Sequence, residues 1–349
     1  MKIRNIFRRK PKEKSWVQTD QGMLNTTWDL GWWQQNRQPL QGGKNEAVEA
    51  CVSALSQTVS MCPIHHLRDE DNGEDKRQYG SGPERVLAKP NPYTSRSLFF
   101  NTLIRSVYFH GNGYAAATRN GNRAIENLYL LDPKSTNGVI DPESGEVFYW
   151  VSSGYGNTFN PETDIVYPAR DILHVRINQS ETEPLKGISP ITAAANSIGA
   201  NSNIIRQQSE FFGNMARPSG IMSTPDKLTP EQANQIRDAL AKQAQGGNAG
   251  KVPVLGGGLK WESMSLTSQD AQLVEAFGMT ISSISRVFRV PLPLINQMEN
   301  STFNNADALM RWFIASGLGF LLEHIELELN NLFDLPFREH LNFDTTALL

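Results

Sequence analysis

The stretch FRVPLPLINQMENSTFNNADALMRWF, residues 288–313, decides the fold. It places two prolines and then eight polar residues between segments that have the composition of helices. Proline fixes φ and removes a backbone donor, so a helix that reaches Pro291 and Pro293 must end there. We therefore predict that one helix ends near Phe288, a polar loop covers residues 289–304, and another helix begins near Asn305.

Two long helices are predicted before this loop. Ser189 followed by Pro190 is a typical start signal, because serine caps helices and proline favours the first helical position. This first rod extends to residue 214, and a capping signal at Thr267 opens a second rod over residues 267–288. The first rod would be roughly 39 Å long at about 1.5 Å per residue.

A third long helix follows the loop, over residues 305–332. Gly317 and Gly319 are the points where this rod is expected to bend or to be crossed closely by another segment. Helices of this length exceed what the core of a small domain needs. They are typical of a repeated subunit that packs rod against rod around an axis.

A small module is predicted between the two rods, over residues 215–266. GIMSTP favours a short strand, and Thr229 with Gln232 forms a capping box for a helix. KVPVLGGGLKWESMSL favours two short strands around a triple-glycine turn.

The first half of the chain has the pattern of a mixed α+β fold. Apolar residues at helical spacing predict a helix over residues 46–61, namely Val48, Cys51, Val52, Leu55 and Val59. A second helix is predicted at 95–109, and strands at 63–67, 113–118, 125–131, 147–152 and 172–177. Residues 1–44 form a basic arm with four tryptophans, which is either a flexible segment or an anchor that docks on a neighbouring subunit.

Composition excludes several classes of protein. The formal net charge of -3 and the pI near 6.1 argue against a protein that coats duplex DNA, so any contact with nucleic acid should be local. Cys51 and Cys62 are the only cysteines and do not form a CxxC pair, so we expect a reducing compartment without a zinc ribbon. The apolar run at residues 312–322 is shorter than the roughly 20 residues that cross a bilayer, so no membrane partner is expected.

Candidate chemical motifs fail on their context. GGNAGK lacks the Ser or Thr of a phosphate loop and follows a helix, and GNGYAA lies between a helix and a strand in the wrong order for dinucleotide binding. DEDNGED departs from the spacing of a calcium loop, and the histidines have no metal-ligand spacing. We expect no cofactor, no metal and no enzymatic activity.

Several segments, taken in order, resemble one family, the portal proteins of tailed double-stranded-DNA bacteriophages. They include LAKPNPYTSRSLFFNTLIRSVYFHGNGYA, LYLLDP, DILHVR, LKGISPITAA, FFGNMARPSGIM, LTPEQ, NAGKVPVLGGGLKWESMSLTSQDAQ and SRVFRVPLPLI. Their order and spacing over about residues 45–349 carry the resemblance.

The resemblance implies a portal fold of class α+β. After the arm at residues 1–44, residues 45–186 would form a wing, 187–214 and 267–288 the stem helices, and 215–266 the clip. Residues 289–304 would be a tunnel loop, and residues 305–349 a long helix that returns to the wing with the start of a C-terminal region. Family members usually continue into a helical crown, and this sequence ends before it.

The resemblance also implies partners and a place in the virion. The chain would form a homo-oligomer of twelve subunits at one capsid vertex, through which double-stranded DNA passes in packaging and ejection. Its partners would be the terminase large subunit, a head–tail adaptor, and the major capsid protein or scaffold. Assembly would take place in the host bacterial cytoplasm.

Short neutral polar side chains suit a loop that faces moving DNA, because a ring of lysines would hold each phosphate. The candidate channel residues are Pro291, Pro293, Asn296, Gln297, Glu299, Asn300, Ser301, Thr302 and Asn304. A solvated loop between helices remains the alternative. The candidate docking residues of the clip are Lys227, Arg237, Lys242, Lys251 and Lys260, which also fit ordinary solubilising charge.

Two other functions compete with a portal. A packaging enzyme would need an intact phosphate loop or clustered acidic ligands, which the sequence lacks. A tail or head-completion connector is usually a shorter chain and would leave the segment before Gly187 unexplained.

Overall fold

The computed structural model describes residues 45–71, 73–153, 163–213, 220–223, 229, 231–232, 234–235, 260–263, 269–296 and 306–348. The fold is α+β, as the sequence predicts. The first part contains α1 (Glu46–Met61), β1 (Ile64–Asp69), β2 (Asp75–Arg77), α2 (Gly82–Ala88), α3 (Arg96–His110), β3 (Asn112–Arg119), β4 (Ile125–Leu131), β5 (Thr136–Ile140), β6 (Val147–Val151), β7 (Ile165–Pro168) and β8 (Ile172–Arg176). The second part contains α4 (Pro190–Gly213), β9 (Gly220–Ser223), β10 (Lys260–Ser263), α5 (Gln269–Phe288), α6 (Ala306–Trp312), α7 (Gly319–Phe333) and β11 (Glu339–Phe343).

Local signals explain where the first helices begin and end. The Asn45 side chain accepts hydrogen bonds from the backbone of Ala47 and Val48 and so caps α1, whose five predicted apolar positions are all buried. Ser95 caps α3 by accepting from the backbone of Leu98, and Gly111 ends α3 in the left-handed region at φ 81°. Both predicted helices are confirmed within one residue at each end.

Three small antiparallel sheets lie in the first part of the chain and its C-terminal end. Their strand orders are β4-β3-β8, β5-β6-β7 and β11-β1-β2. The predicted strands at 63–67, 113–118, 125–131, 147–152 and 172–177 are confirmed as β1, β3, β4, β6 and β8. Sequence analysis missed α2 and the strands β2, β5, β7 and β11.

The rods α4 and α5 pack against each other and run in opposite directions. Ser189, which precedes α4, donates from Oγ to the Tyr108 carbonyl at 2.6 Å, and the Tyr108 ring lies 6.0 Å from that of Phe288 at the end of α5. Further along, Asn201 of α4 donates from Nδ2 to Thr280 Oγ1 of α5 at 3.0 Å. The start of one rod therefore lies beside the end of the other.

One continuous core joins the early helices to the end of the chain. It contains Val52 of α1, Leu103 of α3, Ile284 of α5 and Leu329 of α7, all fully buried. β11 pairs with β1 so that Ile64 lies opposite Phe343. The helical stretch after the loop therefore packs into the same core as α1 and α3.

Candidate functional site

The first residues of the predicted polar loop are anchored to the core. Ser285 Oγ donates a short hydrogen bond to the Val290 carbonyl, and the Val290 N–H donates to the Ser285 carbonyl at 3.0 Å. Val290 is 3% exposed, and Leu292, Leu294 and Ile295 pack against the core. The segment after α5, residues 289–296, is therefore held against the core.

The two prolines determine the backbone conformation of this segment. Pro291 is the N-cap of a 3-10 turn at Leu292–Ile295, which contains Pro293. The turn ends at Asn296, whose φ of 61° is left-handed and whose N–H donates to the Pro293 carbonyl at 3.2 Å. Asn296 is exposed and is the last described residue of this segment. The other candidate channel residues lie outside the described residues, namely Gln297, Glu299, Asn300, Ser301, Thr302 and Asn304.

The chain returns from the loop through a helical stretch that is not uniform. α6 passes into a π-helical turn at Phe313–Leu318 before α7 begins. Both Phe313 and Leu318 are fully buried. The predicted long helix is therefore present, and the irregularity expected at Gly317 is a π-turn, in which the backbone follows a wider bonding pattern.

The segment after α5 and the helical stretch after the loop contact each other at the π-turn. A Cβ added at Gly317 would lie 2.9 Å from the carbonyl oxygen of Arg289, which follows α5 and has φ 56°. The close crossing predicted for Gly317 is confirmed. This contact holds the residue that follows α5 against the π-turn of the helical stretch after the loop.

Tyr108 joins this region to α3. Burial raises the pKa of its hydroxyl, although the charge of Arg289 opposes the shift. Its carbonyl also accepts the bond from Ser189, so one residue of α3 contacts the beginning of α4 and the region where α5 ends. Tyr108 therefore connects α3 to the beginning of α4, to the end of α5 and to Arg289, the first residue of the predicted loop.

A buried polar network supports the start of α4. His174 Nε2 donates to Asn112 Oδ1 at 3.1 Å, while Tyr149 OH donates to His174 Nδ1 at 3.0 Å. Asn112 Oδ1 also accepts from the Gly187 N–H at 2.8 Å. Burial, with help from the charges of Arg176 and His324, lowers the pKa of His174 to about 3, so this imidazole is neutral.

Two glycines let the backbone cross at the same junction. A Cβ at Gly187 would lie 2.0 Å from the Gly111 carbonyl oxygen, which a side chain cannot occupy without moving the backbone. The network and this crossing therefore fix the point from which α4 leaves the rest of the fold.

The module between the rods is described in part. β9 pairs with β10 in antiparallel register. Thr229 and Gln232 form the predicted capping box, since each backbone N–H donates to the other side chain, at 3.0 and 3.4 Å. Lys260 begins β10 opposite Ser223. The remaining docking candidates, Lys227, Arg237, Lys242 and Lys251, and the strand predicted from KVPVL lie outside the described residues.

An apolar surface runs along the returning helical stretch. By length and composition alone, the helical stretch Asp307–Phe333 could cross a membrane. Trp312, Phe320 and Leu327 are exposed by 55%, 64% and 53%. Sequence analysis considered only the shorter uncharged run and missed the extent of this surface.

One cluster of potential metal ligands occurs within the part of the chain that the structure describes. Asp69, Asp75 and His340 come from three neighbouring strands, and their ligand atoms lie within 4.8 Å of one another. His340 contacts Asp69 at 3.2 Å and Asp75 at 3.9 Å, so ion pairs account for the same geometry. Sequence spacing could not reveal the cluster because it depends on the pairing of β11 with β1.

Similar proteins have related sequences and folds. A portal protein of Enterobacteria phage HK97 is 28% identical over 260 residues, which cover 73% of this chain and 58% of that protein. A probable portal protein of Streptomyces phage phiC31 is 25% identical, over 73% of this chain and 56% of that protein. The chain thus spans little more than half the length of these two relatives. An uncharacterised protein of Rickettsia bellii is 27% identical over 86% of this chain and 77% of its own length.

Two solved structures share the fold. One chain of the virion of a native gene transfer agent particle has a TM-score of 0.63 at 22% identity, over 88% of this chain and 82% of that chain. An HK97 family phage portal protein from Corynebacterium diphtheriae has a TM-score of 0.58 at 16% identity, over 86% and 93%. The family model described as "Phage portal protein" matches residues 46–349, and the chain accordingly belongs to the phage portal protein family.

Proposed function

We propose that this chain is the subunit of a ring-shaped portal of twelve copies at one capsid vertex. The observation that carries the proposal is the exposure of three large apolar side chains, Trp312, Phe320 and Leu327, on the helical stretch Asp307–Phe333. Large apolar patches on soluble proteins mark interaction sites. The number twelve is supported by a related neck structure, which was computed with C12 symmetry.

A neighbouring copy explains this surface better than a membrane does. The opposite face of the same helical stretch packs into the core through Phe313, Ile325 and Leu329, all fully buried. Insertion into a bilayer would require these contacts to break, whereas a neighbouring copy can cover Phe320 and Leu327 with the fold intact. The surface must meet a different face of the next copy, since a closed ring is built from heterologous contacts.

The ring would serve as the conduit for double-stranded DNA in packaging and ejection. Residues 297–304 of the predicted tunnel loop would face the channel, and the loop begins at Arg289, which lies against Gly317. Its side chains are neutral except for Glu299, so they would not trap the phosphate backbone. This role needs no catalytic group and no cofactor.

The module between the rods would be the docking site for the terminase large subunit and later for a head–tail adaptor. It lies at the ends of α4 and α5 that are remote from the buried junction at Gly187. Its basic residues would meet acidic partner surfaces. The major capsid protein or scaffold would contact the remaining outer surface, in a particle assembled in the bacterial cytoplasm.

Native mass spectrometry with negative-stain class averages tests the proposal. Twelve copies of a chain of 38.9 kDa give about 470 kDa around an open channel. Phe320→Asp is expected to reduce the ring to smaller species, because it places a charge on the apolar surface. Phe337→Asp is the matched control, since Phe337 is fully exposed in a turn outside that surface.

A stable monomer or dimer of the unmodified chain would overturn the ring. Rings that survive Phe320→Asp unchanged would show that this surface is not the interface. The channel is tested separately by the DNA content of capsids built with Asn300→Lys, which should fall while the ring mass stays the same.

A further inference from the structure

A fully buried asparagine lies midway along the first rod. Asn201 of α4 has an exposure of 0%, although it stands in a helix whose neighbours Ala200 and Asn203 are exposed. Buried polar side chains need partners to offset the loss of water. The partners of Asn201 come from two other helices.

These contacts form a chain across three helices. Asn45 Nδ2 donates to Asn201 Oδ1 at 2.9 Å and to Ser202 Oγ at 3.1 Å. Asn201 Nδ2 then donates to Thr280 Oγ1 at 3.0 Å, and Thr280 Oγ1 donates to the Phe277 carbonyl at 2.7 Å. Because Asn45 also caps α1, the chain links the beginning of α1 to the middle of α4 and of α5.

The same residues mark a boundary in burial. Ala194 and Ile198 of α4 lie in the core, but no side chain at residues 202–209 is buried. In α5, Ile281 and Ile284 lie in the core, whereas no side chain at residues 275–280 is buried and only Phe277 of these packs against the core. Asn201 and Thr280 are therefore where the rod pair leaves the core.

A polar contact at this boundary can fix the packing register of the two rods, which apolar packing alone does not fix. Two apolar helices have several packing registers of similar energy. A buried hydrogen bond is satisfied in only one of them, so it selects that register. Among the outer residues whose burial is described, only Phe277 packs against the core.

We propose that the Asn45–Asn201–Thr280 chain is a joint that fixes the register of the two rods where they leave the core. Each atom of the joint belongs to one polypeptide, so the joint exists in any oligomeric state.

Hydrogen exchange followed by mass spectrometry on the full chain tests the joint. Thr280→Val removes the hydroxyl with little change in volume, and Thr280→Ser retains it. Exchange at residues 202–213 and 269–279 should become about fivefold faster in Thr280→Val, the factor expected for one lost buried hydrogen bond. Exchange in α3 should not change, and Thr280→Ser should resemble the unmodified chain.

A second variant distinguishes loss of the joint from a general folding defect. Asn45→Asp keeps the oxygen atoms that cap α1 but loses the donor to Asn201, so residues 202–213 should again exchange faster. Asn203→Ala, two residues away on the exposed side of α4, is the neutral control. Equal acceleration in α3 and in the rods, or no acceleration in either variant, would overturn the joint. The mass of the same samples reports the ring separately, so a failed ring and a failed joint are distinguishable.

Discussion

The body of this protein and the outer halves of its rods are stabilised in different ways. The body comprises residues 45–201 and 281–348, as far as they are described, and it contains the continuous core with fully buried Phe99, Phe100 and Phe313. The outer halves, residues 202–213 and 269–280, contain no buried side chain among those whose burial is described. The body is stabilised by this core, whereas the outer halves depend on local signals and, by our proposal, on the joint at Asn201 and Thr280.

This difference separates two kinds of substitution. In the body, a changed side chain loses contacts from several elements at once, so unfolding is expected to be global. In the outer halves and the module between them, a substitution should affect the stability of only one helix or hairpin. Substitutions in each region therefore test whether the two regions are stabilised differently.

The largest effect is expected from Phe313→Ala. Phe313 is fully buried in the π-turn, and loss of a buried phenylalanine typically costs about 3–5 kcal/mol of unfolding free energy. Phe337→Ala should change it by no more than about 0.5 kcal/mol, because Phe337 is fully exposed. Denaturant unfolding monitored by circular dichroism measures both. Similar losses in the two variants would contradict the assignment of Phe313 to the core.

An intermediate effect is expected from pH, through His174. Its pKa is about 3 in the folded chain, against about 6.5 for an ordinary histidine. Between these values the unfolded chain binds a proton that the folded chain does not, so the unfolding free energy falls as the pH falls. The contribution of His174 should be about 2 kcal/mol smaller at pH 5 than at pH 7.

His174→Gln isolates this contribution. The variant removes the titrating group, so its stability should fall less between pH 7 and pH 5 than that of the unmodified chain. Part of the dependence should remain, because burial also lowers the pKa of His110 and His324. Identical pH profiles for the two proteins would mean that His174 accepts a proton without disturbing its contacts with Tyr149 and Asn112.

Sequence patterns predicted the parts of the fold that depend on local interactions. The capping box at Thr229 and the apolar face of α1 need only neighbours in sequence, and both are confirmed. β11 was missed because its partner β1 lies at the other end of the chain, and its sequence, EHLNF, has only weak alternation. β5 (TNGVI) contains an Asn-Gly pair, which is typical of turns, and β7 (IVYP) has only four residues and ends in proline.

The candidate site shows the same division. Prolines and glycines predicted where the loop begins and where Gly317 is crossed, because these residues restrict or permit backbone conformations directly. Nothing local distinguishes buried Asn201 from exposed Asn203, since both are asparagines within one helix. The π-turn also has no periodic signal of its own, and only the packing of Phe313 and Leu318 reveals why it forms.

The smallest effect is expected from Thr229→Ala, in the module between the rods. The substitution removes the oxygen that accepts from the Gln232 N–H, a loss that typically costs a helix about 1 kcal/mol. Faster hydrogen exchange should be confined to the peptide that contains residues 229–235, and Thr229→Ser should restore the slower rate. The unfolding midpoint of the body should stay unchanged, because no core contact is lost. A lower midpoint would mean that the module and the body unfold as one unit, and the contrast between the two regions would then fail.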